Sequence, residues 1–200
     1  MSNGALNLPN LLSLSRIAAV PLFLLLVLLR PSDPMVGGVL MVSALVLAVA
    51  VAVTDWLDGA IARSRNQTSN LGKLLDPLAD KVFVAAALVA YTELQIVPAW
   101  ATAVIIGREF LVTGLRSIAM EQGRVIAADT LGKHKTAWQL ALVMSVLLAE
   151  AIRLFSGAEE LAPALRLAHA ILVWLPLSVA LLLTIVSGWQ YVSRNRDLFG

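Results

Sequence analysis

Six long apolar stretches constrain this 200-residue chain more than any other feature: Leu11 to Leu29, Met35 to Trp56, Leu78 to Tyr91, Ile96 to Thr113, Thr136 to Ile152 and Leu167 to Gly188. Each is close to the roughly 20 residues that a helix needs to cross about 30 Å of hydrocarbon. The third reaches that length only by starting near Gly72, which draws Asp76 and Asp80 into it. Composition agrees, with 59% hydrophobic residues and only 14% charged, against about 25% charged in soluble domains. Such a chain has too few polar side chains to coat a soluble globule. In lipid, a helix satisfies all its own backbone hydrogen bonds. The expectation is therefore an all-α integral membrane protein, a single domain over residues 1–200 with six transmembrane helices. No repeat or low-complexity segment interrupts it. The first span is too long for a signal peptide, has no Lys or Arg before Arg16 and lacks a clear small-residue cleavage site.

Basic residues at the span ends orient the chain. With the N-terminus inside, the inner side holds Arg16, Arg63, Arg65, Lys73, Lys81, Arg108, Arg116, Arg124, Lys133, Lys135, Arg194 and Arg196, and the outer side only Arg30, Arg153 and Arg166. That asymmetry follows the positive-inside rule and predicts two cytoplasmic termini. The absence of cysteine removes disulfides, thiolate metal sites and cysteine nucleophiles. The two histidines, His134 and His169, stand far apart in sequence, so a metal here must use oxygen ligands. A net charge of +2, from 15 basic and 13 acidic residues, is too small to suggest nucleic-acid binding.

Four aspartates stand where hydrocarbon should not tolerate them. Asp55 and Asp58 are i,i+3 neighbours near the end of the second span, and Asp76 and Asp80 are i,i+4 neighbours at the start of the third, so on helices each pair shares a face. A polar turn, Ser64 to Asn70, folds one pair back toward the other. Each carboxylate costs roughly 2.5–3.5 kcal/mol at the bilayer centre, and mutual repulsion adds to that unless protons or cations intervene. One resolution is interfacial pairing, Asp55 and Asp58 with Arg63, and Asp76 and Asp80 with Lys73 and Lys81. The other is one or two divalent ions, Mg²⁺ or Mn²⁺, with Ca²⁺ as a substitute or inhibitor. Gly59 and Gly72 favour close approach of a ligand or backbone, since glycine on a helix otherwise costs about 1 kcal/mol.

The full spacing, D-x2-D-G-x2-A-R-x8-G-x3-D-x3-D from Asp55 to Asp80, resembles the signature of the CDP-alcohol phosphatidyltransferase family, with each fixed position matched. The resemblance implies a two-metal site of Asp55, Asp58, Asp76 and Asp80, the ions bridging the diphosphate of a CDP-activated lipid. It also implies Asp80 as the general base on the acceptor hydroxyl. Asp58, Gly59, Ala62, Arg63 and Gly72 would bind the nucleotide, where small residues let a ring and a phosphate approach the backbone. The family further implies CDP-diacylglycerol as donor and a homodimer.

Acceptors vary within the family, and a phosphorylated one needs cations beside the metals. Glu109, Thr113 and Arg116 share a face at i, i+4, i+7, with Arg108 about 100° away. Gly132-Lys133-His134-Lys135-Thr136 makes a basic step before the fifth span. These segments, with Asn7-Leu8-Pro9-Asn10 and Arg16, resemble bacterial members of the family whose acceptor is sn-glycerol 3-phosphate. The resemblance implies an acceptor-phosphate site of Arg108, Arg116, Lys133 and Lys135 and a place in the bacterial inner membrane. Against this stand three plainer readings: Lys133 and Lys135 as topology anchors, Arg108 and Glu109 as a neutralised pair, and the acidic cluster as a cation transporter's. Inositol phosphate or phosphatidylglycerol are alternative acceptors. The five tryptophans fall mostly near span ends, as an aromatic belt does. His169 is expected at the outer interface and His134 in a solvated loop. Glu150, Glu159 and Glu160 are expected as outer-side charges with no visible partner in the chemistry.

Overall fold

The computed structural model describes residues 8–65, 70–123, 130–157 and 162–195, with side chains at 14–55, 81–123, 132, 134–157 and 162–195. Six helices account for almost all of them: α1 Leu8–Leu28, α2 Pro34–Arg65, α3 Asn70–Glu93, α4 Ala99–Glu121, α5 Thr130–Phe155 and α6 Pro163–Arg194. α2, α3, α5 and α6 each contain one expected span and run beyond it at both ends, whereas α1 stops one residue short of its span and α4 starts three residues inside its own. The start of α2 is chemically explicit. Pro34 supplies a φ suited to the first helical turn, and Asp33 Oδ1 accepts the Met35 N–H at 2.8 Å. After α3 the chain turns through Gln95 at φ 58°, with the Ile96 N–H on the Tyr91 carbonyl at 2.9 Å.

α1 packs on α2 and α3, α5 on α2 and α6, and α4 chiefly on α6. The core is aliphatic and runs through Val27, Ala44, Ala87, Leu88, Ile105, Leu142, Val146 and Leu177. Phe23 of α1 meets Phe83 of α3 with ring centroids 4.8 Å apart. Large apolar side chains also cover the outside, among them Val46, Leu182, Ile185 and Trp189. That is the surface a protein presents when its solvent is lipid.

Pro34–Asp55, His134–Phe155 and Pro163–Arg194 are long and apolar enough to cross a membrane, and Leu14–Leu28 is a shorter apolar helix. α3 and α4 are helices of 24 and 23 residues, but charged residues interrupt their apolar stretches. Asp76, Asp80 and Lys81 lie on α3, and Arg108, Glu109 and Arg116 on α4.

A paired carboxylate lies between α5 and α6. Glu150 has two partners: it accepts from Arg153 Nη2 at 2.7 Å and lies 2.9 Å from His169 Nε2. It is buried on α5, and a carboxylate so placed must be paired. Glu159 and Glu160 lie outside the described residues.

Candidate active site

Helix registers bring the distant parts of the sequence to one level. Near the far end of the bundle, Gly37 lies against Leu154, and a Cβ on Gly38 would come within 2.6 Å of the Phe155 ring. α2 and α5 run antiparallel from that contact. At equal rise per residue, nineteen positions along each carry Leu154 to Lys135 and Gly37 to Trp56. On the other side, seven residues back from Phe23 is Arg16, and seven back from Phe83 is Asp76. Arg16 is itself tied to Asp55. Asp55, Asp76 and Lys135 thus occupy one band, within about two helical turns along the axis.

Asp55 sits at the mouth of this band, its side chain 54% exposed, with Oδ1 accepting from Arg16 Nη1. α1 thus supplies a cation to Asp55; the expected pairing with Arg63 lies outside the described side chains. Arg16 is buried, so one charge of an exposed carboxylate is anchored from inside the bundle. Asp58, Gly59, Ala62 and Arg63 lie on the last turns of α2, and Gly72, Asp76 and Asp80 on the first turns of α3. With Lys133 on α5, they fall outside the described side chains.

A second cluster joins α3, α4, α5 and α6. Glu109 is its hub. Lys135 Nζ donates to Glu109 Oε1, and Arg108 Nη1 approaches the same oxygen at 3.4 Å. Arg108 Nη2 donates to Ser187 Oγ at 3.1 Å. Lys81, next to Asp80 in sequence, donates to Thr113 Oγ1, which in turn donates to the Glu109 carbonyl at 2.6 Å. Arg108 and Glu109 do form a pair, as one reading of the sequence had it, but Lys135 shares the carboxylate. Lys135 is only 3% exposed, which fits poorly with a simple solvated anchor. A Cβ at position 188 would lie 3.0 Å from Arg108 Cγ, so Gly188 leaves the guanidinium room to lie along α6. Arg116 is exposed on α4, and His134 is exposed on α5.

Several buried polar atoms on α4, α5 and α6 have no hydrogen-bond partner among the described residues: Arg108 Nε, Gln139 Nε2, Thr184 Oγ1 and Tyr191 Oη. Unsatisfied groups are costly and few in native proteins; of these, Arg108 and Thr184 line one open space together with Val104, Leu111, Gly188 and Trp189. Sequence reasoning missed Gln139, Ser187 and the linking role of Glu109. The available signal was a polar residue inside an apolar span, which is functional by default.

Similarity to known proteins bears on this arrangement. The sequence profile of the CDP-alcohol phosphatidyltransferases matches residues 6–186. The chain is 39% identical over 196 residues to the CDP-diacylglycerol–glycerol-3-phosphate 3-phosphatidyltransferase of Bacillus subtilis, covering 94% of this chain and 95% of that one. The protein of that name from Rickettsia bellii is 33% identical, with 96% and 97% covered. A CMP-forming cardiolipin synthase of Streptomyces coelicolor is 42% identical over 124 residues, covering 61% of this chain and 55% of its own.

Proposed function

We propose, because the chain belongs to the CDP-alcohol phosphatidyltransferase family, that it transfers the phosphatidyl group of CDP-diacylglycerol to sn-glycerol 3-phosphate, releasing CMP. The observation that carries the choice of acceptor is the buried cluster of Lys135 and Arg108 around a single carboxylate, Glu109. Two cations against one anion leave a positive excess beside the aspartate motif, suited to a phosphate dianion. Arg116 and Lys133 stand on the same two helices and complete the proposed phosphate site. The Bacillus subtilis and Rickettsia bellii proteins named for this reaction match over nearly their whole length, whereas the cardiolipin synthase matches over about half of its own.

The donor set at the α2–α3 hairpin is all carboxylate, hard oxygen donors that fit Mg²⁺ or Mn²⁺. Asp55, Asp58, Asp76 and Asp80 would hold two such ions, which when bound supply charge neutralisation around the diphosphate. Arg63 forks onto phosphate oxygens, and Gly59, Ala62 and Gly72 leave the helix surfaces open to the nucleotide. Lys135, Arg108, Lys133 and Arg116 draw in the acceptor phosphate. Asp80 takes the proton of the acceptor's primary hydroxyl, whose oxygen attacks the lipid-side phosphorus. The P–O bond to the CMP phosphate breaks, and CMP leaves with the electron pair.

The same reading sets six helices across the bacterial inner membrane as a homodimer, with both termini and the site on the cytoplasmic side. A helix of 32 residues such as α2 is about 48 Å long. About 20 residues from Pro34 exhaust the hydrocarbon thickness, so Asp55 begins where the headgroups begin.

CMP release from CDP-diacylglycerol tests the reading, with sn-glycerol 3-phosphate, inositol phosphate and phosphatidylglycerol as rival acceptors. Turnover is expected with glycerol 3-phosphate, abolished by chelator and restored by Mg²⁺ or Mn²⁺. Asp80→Asn should lose at least about 100-fold in turnover while retaining CDP-lipid affinity. Preference for another acceptor, or cation flux into proteoliposomes without CMP release, would overturn it.

A further inference from the structure

Gln139 has no place in the chemistry above, yet among the described residues its buried amide is left unpaired one helical turn from Lys135. Its side chain is buried at 4% exposure, and Nε2 has no partner. It follows Lys135 by four residues on α5, so the two share a face, about 6 Å apart along the axis. Continuing along that face, Leu142 and Val146 are fully buried, so the inward face of α5 changes from cationic to amide to aliphatic. Gln139 is the last polar group before the core. By the α2–α5 register it stands within about a turn of Asp55.

We propose that Gln139 is the specificity-determining residue that reads the secondary hydroxyl of the three-carbon acceptor, an inference that rests on glycerol 3-phosphate being that acceptor. The phosphate goes to the charged side chains, Lys135 and Arg108, because a neutral amide cannot compete with them for a dianion. One helical turn deeper, about the reach of a three-carbon alcohol phosphate, an amide N–H meets a hydroxyl oxygen. Donation from Nε2 to that oxygen satisfies the orphaned donor and fixes the carbon chain. The primary hydroxyl is then held toward the aspartate motif. A core-packing role would instead favour an apolar side chain of similar length, since an unpaired buried amide destabilises the free protein.

The test compares kcat/KM for sn-glycerol 3-phosphate with that for 1,3-propanediol monophosphate, which lacks only the secondary hydroxyl. Wild type should prefer the glycerol compound by roughly 10- to 100-fold, the range for one buried hydrogen bond lost. Gln139→Met and Gln139→Leu should bring the ratio within about threefold of unity, chiefly through a higher KM for glycerol 3-phosphate. Thermal melting should show both variants at least as stable as wild type. Equal use of the two acceptors by wild type overturns the proposal without any variant, and so does an unchanged preference in either variant. Absence of turnover with both acceptors in wild type, with another acceptor used, is the separate failure of the parent reading.

Discussion

Glu109 matters more at the residue scale than its own charge suggests, because it sets the positions of two cations. Lys135 is almost wholly buried and its recorded ion-pair partner is Glu109. Removing one member of a buried pair strands the other, at a cost of roughly 3–5 kcal/mol. Glu109→Gln should therefore lower the melting temperature by several degrees and raise KM for glycerol 3-phosphate at least about tenfold. Because Lys135 itself remains, a steady acceptor KM in a stable Glu109→Gln protein would deny Glu109 its positioning role. Lys135→Ala, Lys133→Ala and Arg116→Ala each remove a direct contact of about 1.5–3 kcal/mol, or roughly 10- to 150-fold in binding. Their KM for CDP-diacylglycerol should stay within about threefold of wild type. Correctly inserted variants with unchanged acceptor kinetics would return these residues to topology anchors.

At the scale of elements, α5 organises the bundle. It packs on α6 and α2, offers Lys135 to α4, and at mid-length receives a hydrogen bond from Tyr91 of α3, whose hydroxyl donates to the Val143 carbonyl at 2.8 Å. Tyr91 is 1% exposed, so its hydroxyl needs that acceptor. Tyr91→Phe should cost about 0.5–1.5 kcal/mol, a drop of roughly 1–6 °C for a chain of this size, with both KM values unchanged. Altered acceptor kinetics would mean that the α3–α5 tie is coupled to the site. The charges that interrupt the apolar runs of α3 and α4 are the ones the candidate site uses, so the elements least typical of a membrane span carry its chemistry.

For the whole molecule, the basic asymmetry makes a topological prediction. A reporter active only outside the cytoplasm, fused at Gly200, should stay silent, and one active only inside should report. The reverse pattern would place the aspartate motif on the wrong side for a soluble nucleotide product and for glycerol phosphate. The apolar exterior, with Val46, Leu182 and Trp189 exposed, is consistent with insertion but does not choose a direction.

What the sequence by itself determined was local and periodic. Apolar runs of helical length announced six helices, and spacings of three and four placed Asp55 with Asp58 and Asp76 with Asp80, because one helix repeats its face at that interval. The family signature is likewise contained within 26 consecutive residues, from Asp55 to Asp80. Packing decided the rest. Asp55 pairs with Arg16, 39 residues away; Lys135 reaches Glu109 across 26 residues, and Arg108 reaches Ser187 across 79. Glu150 has Arg153 at i+3 on its own helix, a spacing the sequence shows, but its second partner, His169, lies on the next helix. The physical reason is the same in each case. A helix's own repeat specifies which face a residue occupies, but which charge lies opposite depends on the register and rotation of a second helix, set by the summed packing of side chains such as Phe23 on Phe83 and Gly38 on Phe155.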